Sequence, residues 1–211
     1  MSFIDSLNQL LFPTRCFGCA ALGLSICSNC RCDWHPHYYK SHISQLNVHS
    51  AVPYSSTASR IILASKENGL KGADNLIINA ITHVLMKADF VDHNVRLVPI
   101  PSSPSARRRR GRSFIVDITK SVAQRSGLPL SDSLELTRRV RDQSGLDATA
   151  RAHNMQGAFA LKTGAYPRGD LILIDDVVTT GATLHEAARA LRSAGFNPIA
   201  AVTACLAQPL R

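Results

Sequence analysis

No stretch of the chain supplies the roughly 18 consecutive apolar residues that a membrane-spanning helix needs. The N-terminal MSFIDSLNQLLFP lacks a basic n-region, carries Asp5 early and breaks its apolar run before Pro13, so it does not read as a secretory signal. A cytoplasmic protein without membrane insertion is the resulting expectation. Internal repeats are absent, and so is any G-x-x-x-x-G-K-[ST] loop, which excludes a Walker-type nucleotide site. Acidic residues are in deficit, 15 against 24 lysines and arginines, for a net charge of +9. That imbalance favours phosphate-bearing ligands or nucleic acid. Aromatic residues make up only 6% of the chain. Trp34, Tyr38 and Tyr39 form the one cluster able to stack bases, with core packing as its alternative.

What is present suits a globular chain: 211 residues, 45% of them hydrophobic, enough for one domain with an appendage. Five of the six cysteines fall between Cys16 and Cys32, while Cys205 stands alone in an apolar stretch. Cys16-x-x-Cys19 and Cys27-x-x-Cys30 present two pairs of thiolates on tight turns, the spacing of a tetrahedral Zn2+ site. Four thiolates would leave no open position, so the site would be structural. Cys32 or His35 is a possible substitute ligand, and a redox pair or disulfide is the competing reading, disfavoured in a cytoplasmic chain. The expected division is a zinc-binding, zinc-ribbon-like module over residues 1–45 and an α/β domain over 46–211.

Residues 35–50 read as a connector with one short strand. Apolar residues at helical spacing predict helices from Ser56 to about Lys66 and from Ala73 to Ala88, broken near Asn68 and Gly69. VRLVPI, residues 95–100, reads as a buried strand, PSSPSARRRRGRS behind it as a loop, and the segment from Ser113 to Gly127 as a capped helix. A short strand is expected over residues 134–140, with a polar helix or loop over 141–156. Residues 171–174 form another strand, Leu184, Ala187, Ala188 and Leu191 define a helix ending at Gly195, and residues 198–206 form the next strand. Strand, loop, helix and strand within about 35 residues make a βαβ unit, so a Rossmann-like parallel sheet covered by helices is the expected fold.

The chemistry concentrates in LILIDDVVTTGAT, residues 171–183. At the carboxyl end of a parallel strand, backbone N–H groups of Thr179, Thr180, Gly181, Ala182 and Thr183 can surround a phosphate at a helix N-terminus. Asp175 and Asp176 can accept hydrogen bonds from vicinal hydroxyls or hold a hydrated Mg2+. Phosphate at one end and diol at the other describe a ribose 5-phosphate. A capped helix with two solvent-facing acids is the bland alternative, and a phosphoacceptor receiver domain is another.

The same stretch, including Val177 and Val178, resembles the phosphoribosyl pyrophosphate (PRPP) signature of type I phosphoribosyltransferases. Further matches follow in order: LLFPTRCFGC and ICSNC, the segment from Tyr54 through Lys66, VPIP, the arginine-rich loop, Gln143 with Leu146, and RAHNMQGAF at 151–159. Together these resemble the ComF family over nearly the whole chain. The resemblance implies a zinc module ahead of a phosphoribosyltransferase-type domain, with Asp175 and Asp176 on the ribose hydroxyls and residues 179–183 on the 5-phosphate. Mg2+ would arrive with the pyrophosphate of PRPP. Members are associated with competence, natural transformation and DNA uptake.

If the chain is a transferase, it must stabilise an oxocarbenium-like ribose and a leaving pyrophosphate. Arg107, Arg108, Arg109 and Arg110 are candidates for the latter, as is Lys66, whose alternative is a solvated helix end. Gln143, Arg151 and Asn154 match the family's Q-x-x-L and R-x-x-N positions and would order a hood over the acceptor, or simply pack. Purine-salvage enzymes of this fold carry a third acid where this chain has Thr179, which argues against a 6-oxopurine acceptor. The chain also reads RGRSF where the family pattern runs R-G-F-N-Q, so Arg112, Ser113 and Phe114 depart from it. A non-catalytic accessory factor binding single-stranded DNA is the competing function.

Overall fold

The computed structural model describes residues 13–88, 90, 94–137, 153–167 and 169–207. After a short helix α1 (Ser28–Asp33), strands β1 (Tyr39–Ile43) and β2 (Leu46–Pro53) form an antiparallel hairpin. The sequence reading allowed this connector one strand. Two form because YKSHI alternates, with Tyr39, Ser41 and Ile43 half-buried on one face, and Ser44 adopts φ 52° in the tight turn.

Helices α2 (Ser56–Lys66) and α3 (Lys71–Lys87) follow. The Ser55 hydroxyl caps the first by accepting the Ala58 N–H at 3.1 Å, and Gly69, at φ 64°, lies in the turn between them. Strand β3 (Val95–Pro99) leads into helix α4 (Pro104–Arg110), where the sequence reading placed a loop. The Ser103 hydroxyl accepts the Ala106 N–H at 3.2 Å, Pro104 occupies the first turn, and Gly111, in the left-handed region, ends the helix. These are ordinary start and stop signals, obscured by the loop-like composition around them.

Helix α5 (Phe114–Ser126) ends at Gly127, and Ser113 occupies its N-cap position without a side-chain capping bond. An antiparallel ribbon pairs β4 (Leu134–Leu136) with β5 (Phe159–Leu161). Residues 138–152, with Gln143, Leu146 and Arg151, lie outside the described residues. Strand β6 (Asp170–Val178), helix α6 (Ala182–Ser193) and strand β7 (Asn197–Leu206) form the expected βαβ unit. β6 runs four residues beyond the expected end, because Asp175 and Val177 remain in register with Thr203 and Cys205 of β7.

The main sheet has the order β1-β2-β7-β6-β3, parallel except for β1. On one face Ile61, Ile77, Ile81 and Ile118 pack against Ile172 and Ile174; on the other Leu184, Ala188 and Leu191 meet Leu171 and Leu173 with the ribbon's Leu134 and Phe159. Each large aliphatic side chain buried this way contributes about 1.5–3 kcal/mol. Cys16, Ile26, Cys30 and Trp34 join the first cluster, so the cysteine segment sits on α2 and α3. The Trp34 indole N–H donates to the Leu76 carbonyl at 3.3 Å, and its 3% exposure removes it as a base-stacking surface. Among the described residues no helix is long and apolar enough to cross a membrane.

Candidate functional site

Two turns bring Cys16, Cys19, Cys27 and Cys30 together, all four Sγ atoms lying within 4.8 Å of one another. A tetrahedral S4 shell with Zn–S bonds of about 2.3 Å needs sulfurs about 3.8 Å apart. Cys19 and Cys27 Sγ are 3.7 Å apart, and the Cys27 N–H donates to Cys16 Sγ at 3.3 Å, a contact that favours the thiolate. The cluster can hold a metal ion and fits structural zinc. Among the described residues neither Cys32 nor His35 belongs to it. Gly18 lets the first turn close: a Cβ there would lie 2.6 Å from Cys30 Sγ and 2.8 Å from Thr57 Cγ2.

The acidic pair stands near the carboxyl end of β6. Neighbouring strand residues face opposite ways. Asp176 shares the side of Ile174 and meets α2, where Lys66 Nζ lies 2.6 Å from its Oδ2. The Asp175 Oδ1 accepts the Asp176 N–H at 2.9 Å. Burial, then the neighbouring Asp176 carboxylate, pushes Asp175 well above the usual carboxylate range. Burial acts on Asp176 in the same direction, but the Lys66 ammonium outweighs it and holds Asp176 below that range. Lys66 is likewise raised, its desolvation offset by Asp176. The site therefore combines an ion pair with a carboxyl group that readily keeps a proton.

Residues 179–181 join β6 to α6, and Gly181, at φ 77°, is the residue before the helix. Glycine is needed there twice over, since a Cβ would also fall 2.2 Å from Ile43 Cδ1. Beside this turn opens a cleft of about 640 Å³ lined by Ile43, Ser44, His153, Gln156, Thr180 and Gly181 together with α6 residues. On that helix Arg189 donates to buried Glu186 at 2.7 and 2.8 Å. Sequence reasoning missed the contribution of Ile43 and Ser44, which approach from more than 130 residues away and carry no local motif.

The arginine run divides. Arg110 Nε and Nη2 donate to Glu67 Oε1 at 3.0 and 2.6 Å, and Arg109 lies 3.6 Å from the other Glu67 oxygen. Arg107 lines a second cavity, about 650 Å³, with Pro101, Ser102 and Lys120. Among the described residues neither Arg107 nor Arg108 pairs with a carboxylate.

No family model matches the chain. Over 106 residues it is 29% identical to Competence protein F of Haemophilus influenzae, a match covering 49% of this chain and 46% of that protein. The match spans less than half the length of that relative. Similar solved structures are phosphoribosyltransferases. The orotate phosphoribosyltransferase of Aeropyrum pernix is 15% identical over 82% of this chain and 77% of that one, with a TM-score of 0.40. The adenine phosphoribosyltransferase of Leishmania donovani is 10% identical over 80% and 86%, with a TM-score of 0.42. The mixed α/β fold class rests on the strand order and connections described above.

Proposed function

We propose that the chain is a ComF-like phosphoribosyltransferase-type protein that binds PRPP or another ribose 5-phosphate ligand. The observation that carries this reading is the continuity of the acidic pair with the turn before α6: two carboxylates on β6, then backbone N–H groups and threonine hydroxyls at a helix N-terminus. Asp175 and Asp176 take the ribose hydroxyls, flanked by Val177 and Val178, and Thr179, Thr180, Gly181, Ala182 and Thr183 take the 5-phosphate. Mg2+ would come with the pyrophosphate and would supply charge neutralisation there. Lys66, already on Asp176, is a cation on the ribose side, while Arg107 and Arg108, without carboxylate partners among the described residues, are candidates for the leaving group. The segment of residues 1–45 holds zinc structurally.

Transfer on this scheme breaks the bond between ribose C1 and pyrophosphate oxygen and forms one from C1 to an acceptor nucleophile. A second reading, single-stranded DNA binding in DNA uptake, is favoured by Arg107 and Arg108 standing without carboxylate partners among the described residues, on a chain of charge +9.

Isothermal titration calorimetry with Mg2+ and PRPP tests the first reading. The native chain gives saturable heat, and Asp175→Asn/Asp176→Asn gives none. Absence of heat from the native chain would sink the ligand assignment.

A further inference from the structure

Three consecutive residues at the end of α2 each reach a different charged partner. The Ser65 hydroxyl donates to Asp74 Oδ1 at 2.6 Å, Lys66 Nζ to Asp176 Oδ2 at 2.6 Å, and Glu67 accepts Arg110 Nη2 at 2.6 Å. Asp74 lies buried in the first turn of α3. Its principal cation is Arg112, whose Nη1 stands 3.2 and 3.0 Å from the two carboxylate oxygens. Lys71 is farther, at 3.7 Å, and mostly exposed. Arg112 also reaches Asp117 at 3.4 Å.

The Phe114 ring, 1% exposed, completes the arrangement. The Arg112 guanidinium lies 5.4 Å from its centroid and the Lys66 ammonium 5.7 Å. Two cations thus share one aromatic ring, and each holds its own carboxylate. The RGRSF stretch that departs from the family pattern is therefore packed around the turn that presents Lys66.

We propose that Arg112 is a positioning residue for Lys66: by joining buried Asp74 to the Phe114 ring it fixes the last turn of α2 and so places the Lys66 ammonium on Asp176. Removing the guanidinium leaves Asp74 buried with the Ser65 hydroxyl and a distant lysine, a state that relaxes by opening this turn. The consequence for donor binding rests on the function proposed above. The placement of Lys66 does not.

The test is amine acetylation of the full chain with an N-hydroxysuccinimide ester, read residue by residue by peptide mass spectrometry with exposed Lys87 as internal reference. In Arg112→Gln the Lys66 rate relative to Lys87 rises several-fold, in Arg112→Lys it stays near the native rate, and Lys120 is unchanged in both. An unchanged Lys66 rate in Arg112→Gln overturns the proposal. A rise at Lys66 and Lys120 alike also overturns it, by showing general loosening. Should Arg112→Gln not fold, Phe114→Leu removes the ring while keeping an apolar side chain in the core and is expected to raise Lys66 labelling; no rise there overturns the proposal equally. Calorimetry with Mg2+ and PRPP on the same proteins separates the two ideas. A native chain that binds, weakened by Arg112→Gln and restored by Arg112→Lys, supports both, whereas a silent native chain removes the ligand reading and leaves labelling to decide on Arg112.

Discussion

Asp175 and Asp176 are adjacent in sequence and opposite in electrostatic state. Asp176 is held low by Lys66, so its contribution to stability is present above the ordinary aspartate range and lost as pH falls through its lowered value. Asp175 is raised, so the folded chain binds more protons than the unfolded one between the ordinary and the raised value, and stability falls as pH rises through that window. Asp175→Asn therefore unfolds at a higher temperature than the native chain at neutral pH, and the gap closes as pH is lowered into the ordinary carboxylate range. Thermal unfolding at a series of pH values checks this; a gap independent of pH would contradict the assignment. The acids themselves were visible in the sequence as a pair after an apolar run. Their inequality was not, because Lys66 lies 110 positions away.

At the scale of elements, the cysteine segment offers the sharpest expectation. Its apolar anchors Cys16, Phe17, Ile26, Cys30 and Trp34 pack against the cluster that includes α2 and α3, and two short turns have little core of their own. A metal ion closing the four sulfurs would supply what the turns lack. Purified under reducing conditions without chelator, the chain is expected to carry one zinc. Because Trp34 is the single tryptophan, removing zinc with a strong chelator should red-shift its emission and lower the unfolding temperature. Unchanged fluorescence after complete metal removal would show that the turn holds without metal. The ligand spacing was legible because CxxC pairs are local, and α2, α3 and α6 were legible because their apolar periodicity spans several turns. Helix α4 was missed although Ser103, Pro104 and Gly111 punctuate it, since four arginines offer no apolar stripe.

At the scale of the whole molecule, the net charge of +9 overstates the basic surface available to a polyanion. Arg109, Arg110 and Arg112 are engaged by Glu67, Asp74 and Asp117, which leaves Arg107 and Arg108 as the part of the run without a carboxylate partner among the described residues. Single-stranded DNA binding, measured by fluorescence anisotropy over a salt series, should therefore weaken in Arg107→Ser/Arg108→Ser, with the slope of log K against log salt shrinking by about 1.4 if each arginine meets one phosphate. The corresponding change at Arg110 should instead appear as lost stability, because its side chain is only 8% exposed and its guanidinium lies against Glu67. Equal slopes for the native and doubly substituted chains would remove the arginine helix from any DNA-binding role.

The sequence by itself determined the α/β class, the βαβ unit around residues 170–206, the four-cysteine grouping and the acid-and-threonine stretch. Each of these is written within a few tens of residues, in periodicity or ligand spacing that no distant contact can reverse. Only the tertiary structure decided that Lys66 meets Asp176, that Ile43 closes on Gly181, that Trp34 is core, and that Arg112 and Phe114 enclose the end of α2. Those pairings join segments far apart in the chain, and what selects them is the cost of burying a charge or leaving a gap, which appears only once the sheet and its helices have brought the segments together.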